Sequence, residues 1–193
     1  PDDDKTLKTA IYRLKYDEHF FLQLLMALKK QAQENNTGRI FSDRGKFEKD
    51  IFEKLDFTLT DAQIRVLREI RSDLASSKPM NRLIQGDVGS GKTVVAVLAT
   101  AIVLSHGAQA AIMAPTEILA EQHYKSFIKF CEPVGIRIEL LTGNLKKTAR
   151  ESIYKDLASG KIHLIVGTHA LIQDGVNFKD LGIIIVDEQH RFG

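Results

Sequence analysis

A parallel α/β sheet preceded by a long N-terminal helix is the fold the sequence predicts, and three observations carry it. From Phe57 onward, apolar runs of strand length alternate with helical patterns, which is the signature of repeated βα units. Between one such run and an apolar helical stretch lies Gly86-Asp87-Val88-Gly89-Ser90-Gly91-Lys92-Thr93, which fits G-x-x-x-x-G-K-[S/T] in the strand, loop and helix context of a P-loop NTPase. Ahead of both, Leu7, Ile11, Leu14, Phe21, Leu25 and Leu28 recur at helical spacing, giving residues 5 to about 33 one apolar face.

That first helix reads as a connector that packs on something, and Asn35-Asn36-Thr37-Gly38 ends it. Residues 42 to 56 mix charges that mostly cancel, with Phe47, Ile51, Phe52 and Leu55 at helical spacing. Residues 1–56 are therefore assigned to connector helices and 57–193 to the α/β domain. Within that domain strands are predicted at 82 to 86, 109 to 114, 136 to 141, 162 to 167 and 182 to 187. Helices are predicted at 61 to 76, 92 to 105, 117 to 131 and 148 to 158. Right-handed crossovers then place all five strand ends on one edge of the sheet.

Composition sets the outer limits. A chain of 193 residues that is 44% hydrophobic builds one domain plus an appendage. A net charge of +2 excludes reliance on bulk electrostatics for nucleic-acid binding, so any such contact is local. No apolar run has membrane-spanning length and no leader pattern opens the chain, so a cytoplasmic address is expected, with no membrane partner. The single cysteine, Cys131, forms no internal disulfide, and no cysteine or histidine cluster has zinc spacing. His19, His106, His123 and His163 read as surface or satisfied histidines. The chain starts at Pro1 and stops at Gly193 just past a motif, so a piece of a longer polypeptide is expected.

The chemistry concentrates at predicted strand ends. Gly86, Gly89 and Gly91 let the loop backbone curl so that N–H groups, with those of Ser90 and the following helix, point at phosphate oxygens. Lys92 supplies a fixed charge, and the Thr93 hydroxyl suits Mg²⁺. The apolar run Ile183-Ile184-Ile185-Val186 ends in Asp187-Glu188, where Asp187 would hold hydrated Mg²⁺ and Glu188 orient or deprotonate the attacking water. Gln63 admits two readings. Its amide matches the N6 donor and N7 acceptor of adenine, and Thr60-x-x-Gln63 is also a capping box. Pro115-Thr116, Thr142-Gly143 and Gly167-Thr168-His169 each follow a predicted strand and suit sugar-phosphate contacts. Lys146, Lys147 and Arg150 form a basic cluster, which on its own is a solvated face.

Four segments taken together resemble the superfamily 2 DNA translocases, and among them the RecG-type helicases. They are Gln85 to Thr93; Ala114-Pro115-Thr116-Glu117-Ile118-Leu119-Ala120; Val166 to Gln173; and Asp187-Glu188-Gln189-His190-Arg191-Phe192-Gly193. The transcription-repair coupling translocases share the ending His-Arg-Phe-Gly, but Gln85, Ser90 and Gln189 favour RecG. The resemblance implies a RecA-like fold, ATP and Mg²⁺ as cofactors, and branched DNA (forks and Holliday junctions) as partner in repair and recombination. It implies that Gln63 reads adenine and that Thr116, Thr142, Gly143 and Thr168 touch the DNA backbone. Gln189 and His190 would couple nucleotide state to DNA grip. Asp56 departs from the resemblance, since members of the family usually carry Pro before the Phe. A wedge domain and a second RecA-like domain with its arginine fingers are also missing from this pattern, so the chain is expected to bind Mg·ATP weakly and to turn it over poorly. A purely nucleotide- and DNA-binding module is the alternative.

Overall fold

Four strands form one fully parallel sheet in the order β2-β3-β1-β4, with β1 at Gln109–Met113, β2 at Ile138–Leu141, β3 at Leu164–Gly167 and β4 at Leu181–Val186. The computed structural model describes residues 3–34 and 37–188. Six helices accompany the sheet: α1 (Asp4–Glu34), α2 (Gly45–Glu53), α3 (Asp61–Leu74), α4 (Lys92–Ser105), α5 (Glu117–Cys131) and α6 (Lys147–Ala158). Three of these bounds, those of α4, α5 and α6, fall within one residue of the sequence prediction.

Alternation along the strands splits the interior into two layers. Ala110, Ile112, Leu164, Val166 and Ile183 join a core with Ile51 of α2, Leu67 and Ile70 of α3, most of α4, and Phe127 of α5. Ala111, Leu141 and Ile165 face the opposite way, onto Leu157 of α6 and Ala170. Helix α4 is apolar on every side, as a helix buried between the sheet and α2 and α3 must be. Cys131 is buried in the same core, and that burial pushes its thiol up to about 12.

Two buried polar side chains tie the layers together. The Gln109 amide donates to the carbonyls of Leu157 (2.9 Å) and Ile162 (2.7 Å) and accepts from the N–H groups of Lys179 (2.8 Å) and Asp180 (3.1 Å). All four of its hydrogen-bonding positions are thereby used. Glu48 of α2 is fully buried and accepts from Arg44 and from Arg71 of α3, pinning α2 to α3.

The fifth predicted strand, 82 to 86, does not form. Arg82 is held instead by Glu69 and Asp73 of α3, and a cavity of about 530 Å³ separates the segment Lys78 to Arg82 from β4. A strand exists only through a ladder partner, and residues 82–86 belong to no ladder of the sheet. Among the described residues β4 is therefore paired on one side only, and Ile184 on its uncovered face is 59% exposed. The expectation that the apolar face of α1 packs on something also fails within the described residues, where Leu14, Phe21, Leu25 and Leu28 stand exposed. A helix of 31 residues runs about 46 Å, and its aromatics Tyr16, Phe20 and Phe21 contact one another. None of the described helices is long and apolar enough to cross a membrane.

Candidate nucleotide-binding site

The loop before α4 is shaped by glycine. Gly89 (φ 81°) and Gly91 (φ 79°) both occupy the left-handed region, where a side chain is strained. Gly91 is the N-cap of α4 and offers no side chain to the first helical N–H groups, which leaves them to an anion. Lys92 folds its ammonium back onto the loop, donating to the carbonyls of Gly86 (2.7 Å) and Asp87 (2.8 Å). Those are bonds a phosphate would replace. Thr93 follows in the first turn of the same helix.

Gln63 settles into the capping box. Thr60 Oγ1 accepts from the Gln63 N–H (3.3 Å), and Gln63 Oε1 accepts from the Thr60 N–H (2.9 Å). Its Nε2 donates in addition to the Ser90 carbonyl of the loop at 3.0 Å. One lone pair on Oε1 and one hydrogen on Nε2 remain, so the cap does not exhaust the amide and the two readings of this residue are compatible.

Asp187 stands at the carboxyl end of β4, its N–H donating to the Met113 carbonyl of β1 at 2.9 Å. Its Oδ1 accepts from the Glu188 N–H at 3.0 Å, and Glu188 takes a left-handed backbone (φ 47°) immediately after the strand. Its Oδ2 lies 2.7 Å from His123 Nε2 on α5. Sequence reasoning left His123 among the ordinary histidines. The signal was its place between Ala120 and Phe127, three and four residues away on the buried stripe of α5. Gln189 and His190 lie outside the described residues.

The remaining predicted contacts line the same edge. Thr116 follows β1 and caps α5, its Oγ1 accepting from the Leu119 N–H at 3.3 Å. Thr142 and Gly143 follow β2, and Thr168 follows β3. With Asp187 on β4 and Thr142 on β2, the two ends of this row are three strand spacings, about 14 Å, apart. Glu117 in the first turn of α5 accepts from the Gly143 N–H at 2.8 Å and from the Asn144 amide, while Arg150 donates to the Gly143 carbonyl at 2.8 Å. The Gly143 N–H is thus engaged by a carboxylate, the kind of acceptor a phosphate would be.

Oxygen donors from Thr93 and Asp187 suit a hard cation that keeps most of its shell from phosphate and water. Among the described residues no group of three or more His, Cys, Asp or Glu is placed to hold a metal ion. The residues fit Mg²⁺ bound with a nucleotide.

The DEAD/DEAH box helicase family matches residues 60–193. The ATP-dependent DNA helicase RecG of Aquifex aeolicus is 51% identical over 94% of this chain and 23% of its own length. The RecG of Bacillus subtilis is 46% identical over the whole chain and 28% of its own length. The chain therefore spans about a quarter of these relatives. A structure of RecG bound to a three-way DNA junction superposes over all of this chain and 26% of that one, with a TM-score of 0.86 and 45% identity. A hypothetical ATP-dependent RNA helicase from Sulfolobus tokodaii, at 19% identity and a TM-score of 0.56 over 75% of this chain, shares the fold alone. The parallel sheet with its phosphate loop at the head of α4 is a RecA-like domain, and the chain belongs to the DEAD/DEAH box helicase family, within which it resembles the RecG proteins.

Proposed function

We propose that this chain is the ATP-binding portion of a DNA translocase that remodels branched DNA, with residues 57–193 as its first RecA-like domain and residues 1–56 as the connector. The observation that carries the reading is the glycine loop at the open N-cap of α4, with Gly89 and Gly91 left-handed, in a domain whose parallel strands carry Asp187 and the segments of Thr116, Thr142, Gly143 and Thr168 at their carboxyl ends. The similarity of nearly the whole chain to about a quarter of the RecG proteins, one of them seen on a three-way junction, supports branched DNA as the partner.

Gly86, Gly89, Ser90, Gly91 and Lys92 bind the phosphates, Lys92 exchanging two loop carbonyls for phosphate oxygens. Gln63 orients the adenine with its remaining hydrogen and lone pair. Thr93 and Asp187 hold Mg²⁺, which supplies charge neutralisation on the phosphates when bound. Glu188 orients the attacking water and takes its proton. Thr116, Thr142, Gly143 and Thr168 grip the DNA backbone, and Gln189 and His190 link that grip to the nucleotide. A RecA-like domain of this kind works within the cytoplasm, against a second such domain that supplies arginine to the transition state.

ATP turnover with and without forked duplex DNA, alongside titration with a fluorescent ATP analogue and a Lys92→Ala control, tests the reading. Nucleotide binding abolished by Lys92→Ala, together with binding of forked duplex that responds to nucleotide, is expected. Binding that survives Lys92→Ala removes the phosphate-loop assignment. A chain indifferent to DNA in both turnover and binding removes the translocase.

A further inference from the structure

We propose that His123 is the positioning residue for the metal ligand: its Nε2–H fixes the Asp187 carboxylate so that the carboxylate's remaining lone pairs face the Mg²⁺ of a bound nucleotide. The inference rests on the reading of Asp187 as a metal ligand.

The geometry points to it in three steps. First, an ionised carboxylate only accepts, so the 2.7 Å contact between His123 Nε2 and Asp187 Oδ2 places a proton on Nε2. Second, the two oxygens are held from different elements, Oδ1 by the Glu188 N–H one residue along the chain and Oδ2 by α5. The first bond is local and turns with the Asp187 backbone. Only the second fixes the carboxylate plane against the body of the domain, because α5 is anchored in the core by Ala120, Phe127 and Cys131. Third, the pair is sheltered but not sealed, with side-chain exposures of 22% for His123 and 37% for Asp187. The carboxylate therefore keeps an open side for a cation while its hydrogen bond is partly shielded from water. A hydrogen-bonded carboxylate ligand of this kind loses about 10- to 100-fold in metal affinity when its outer partner is removed.

The experiment is a titration of a fluorescent ATP analogue at a series of Mg²⁺ concentrations and in EDTA, on the wild-type chain and on three variants. His123→Phe keeps the ring volume and removes the N–H; His123→Gln keeps an N–H within reach; Asp187→Asn removes the ligand's charge. His123→Phe is expected to raise the Mg²⁺ concentration for half-maximal binding about tenfold with affinity in EDTA unchanged, and His123→Gln to restore most of the loss. Wild-type Mg²⁺ dependence in His123→Phe overturns the proposal. So does equal weakening with and without Mg²⁺, or better retention by Phe than by Gln, either of which assigns the histidine to packing. If Asp187→Asn itself leaves the Mg²⁺ dependence intact, the metal-ligand reading fails and the proposal falls with it. If Asp187→Asn abolishes that dependence while His123→Phe does not, only the proposal falls.

Discussion

Gln63 Nε2 donates to the Ser90 carbonyl at 3.0 Å, so the cap of α3 and the phosphate loop form one hydrogen-bonded unit. Removing the amide disturbs both ends. Gln63→Ala is expected to cost about 1 to 2 kcal/mol, from half a capping box and one further hydrogen bond, and to narrow the preference for ATP over GTP. Thermal melts and a competition titration of the two nucleotides read the two effects separately. A variant that melts early but discriminates as well as wild type confines Gln63 to capping.

The loop glycines differ in what a methyl group would meet. At Gly89 a Cβ finds no atom within 4 Å, whereas at Gly91 it runs into Gln63 Nε2. Gly89→Ala therefore carries only the left-handed backbone cost of about 1 to 2 kcal/mol, and Gly91→Ala exceeds it. In the Gln63→Ala background the difference between the two glycine variants shrinks, which denaturant titrations arranged as a double-mutant cycle will show.

Glu48 is fully buried against two arginines that are themselves partly exposed. Glu48→Ala is expected to destabilise the domain by about 3 kcal/mol, the low end for breaking a buried pair, because Arg44 and Arg71 can turn to water. Urea unfolding monitored by circular dichroism should show a lower midpoint at unchanged slope. A loss within 0.5 kcal/mol would mean the arginines contribute little beyond solvating the carboxylate.

Burial, and secondarily the nearby Arg137 guanidinium, holds His163 below its ordinary value of 6.5. Its Nδ1 accepts from the Arg137 N–H at 2.9 Å, a bond only the unprotonated nitrogen can make. A depressed folded-state value favours the neutral form, so the stabilisation is fully present above pH 6.5 and is lost as pH falls through the folded value. His163→Asn offers an amide oxygen to the same N–H and does not titrate. Stability measured from pH 7.5 down to 5 should fall less steeply in that variant, and parallel curves would assign the acid sensitivity elsewhere.

The helices were legible in the sequence because their signals are local: Thr60-x-x-Gln63 marks the capping box of α3, and the apolar run of α4 announces burial. The phosphate loop and the Asp187 strand end were legible for the same reason, since each is a contiguous motif. What the sequence did not disclose depends on partners distant along the chain. The segment 82 to 86 has the composition of a strand, yet Arg82 is drawn to Glu69 and Asp73 of α3 and the segment joins no ladder. His123 carries no motif, and its meaning comes from Asp187 sixty-four residues on. Gln63 satisfied two patterns at once, and only the geometry shows that a side-chain amide has enough hydrogen-bonding positions for both.

Among the described residues strand β4 is braced by β1 along one side alone and runs into Asp187. The carboxylate assigned to the metal thus rides on an edge rail of the sheet, with the Met113 carbonyl and His123 as its stays. The glycine loop, by contrast, is tied to α4 and, through the Gln63 amide, to α3, so the two motifs are anchored through different elements of the domain.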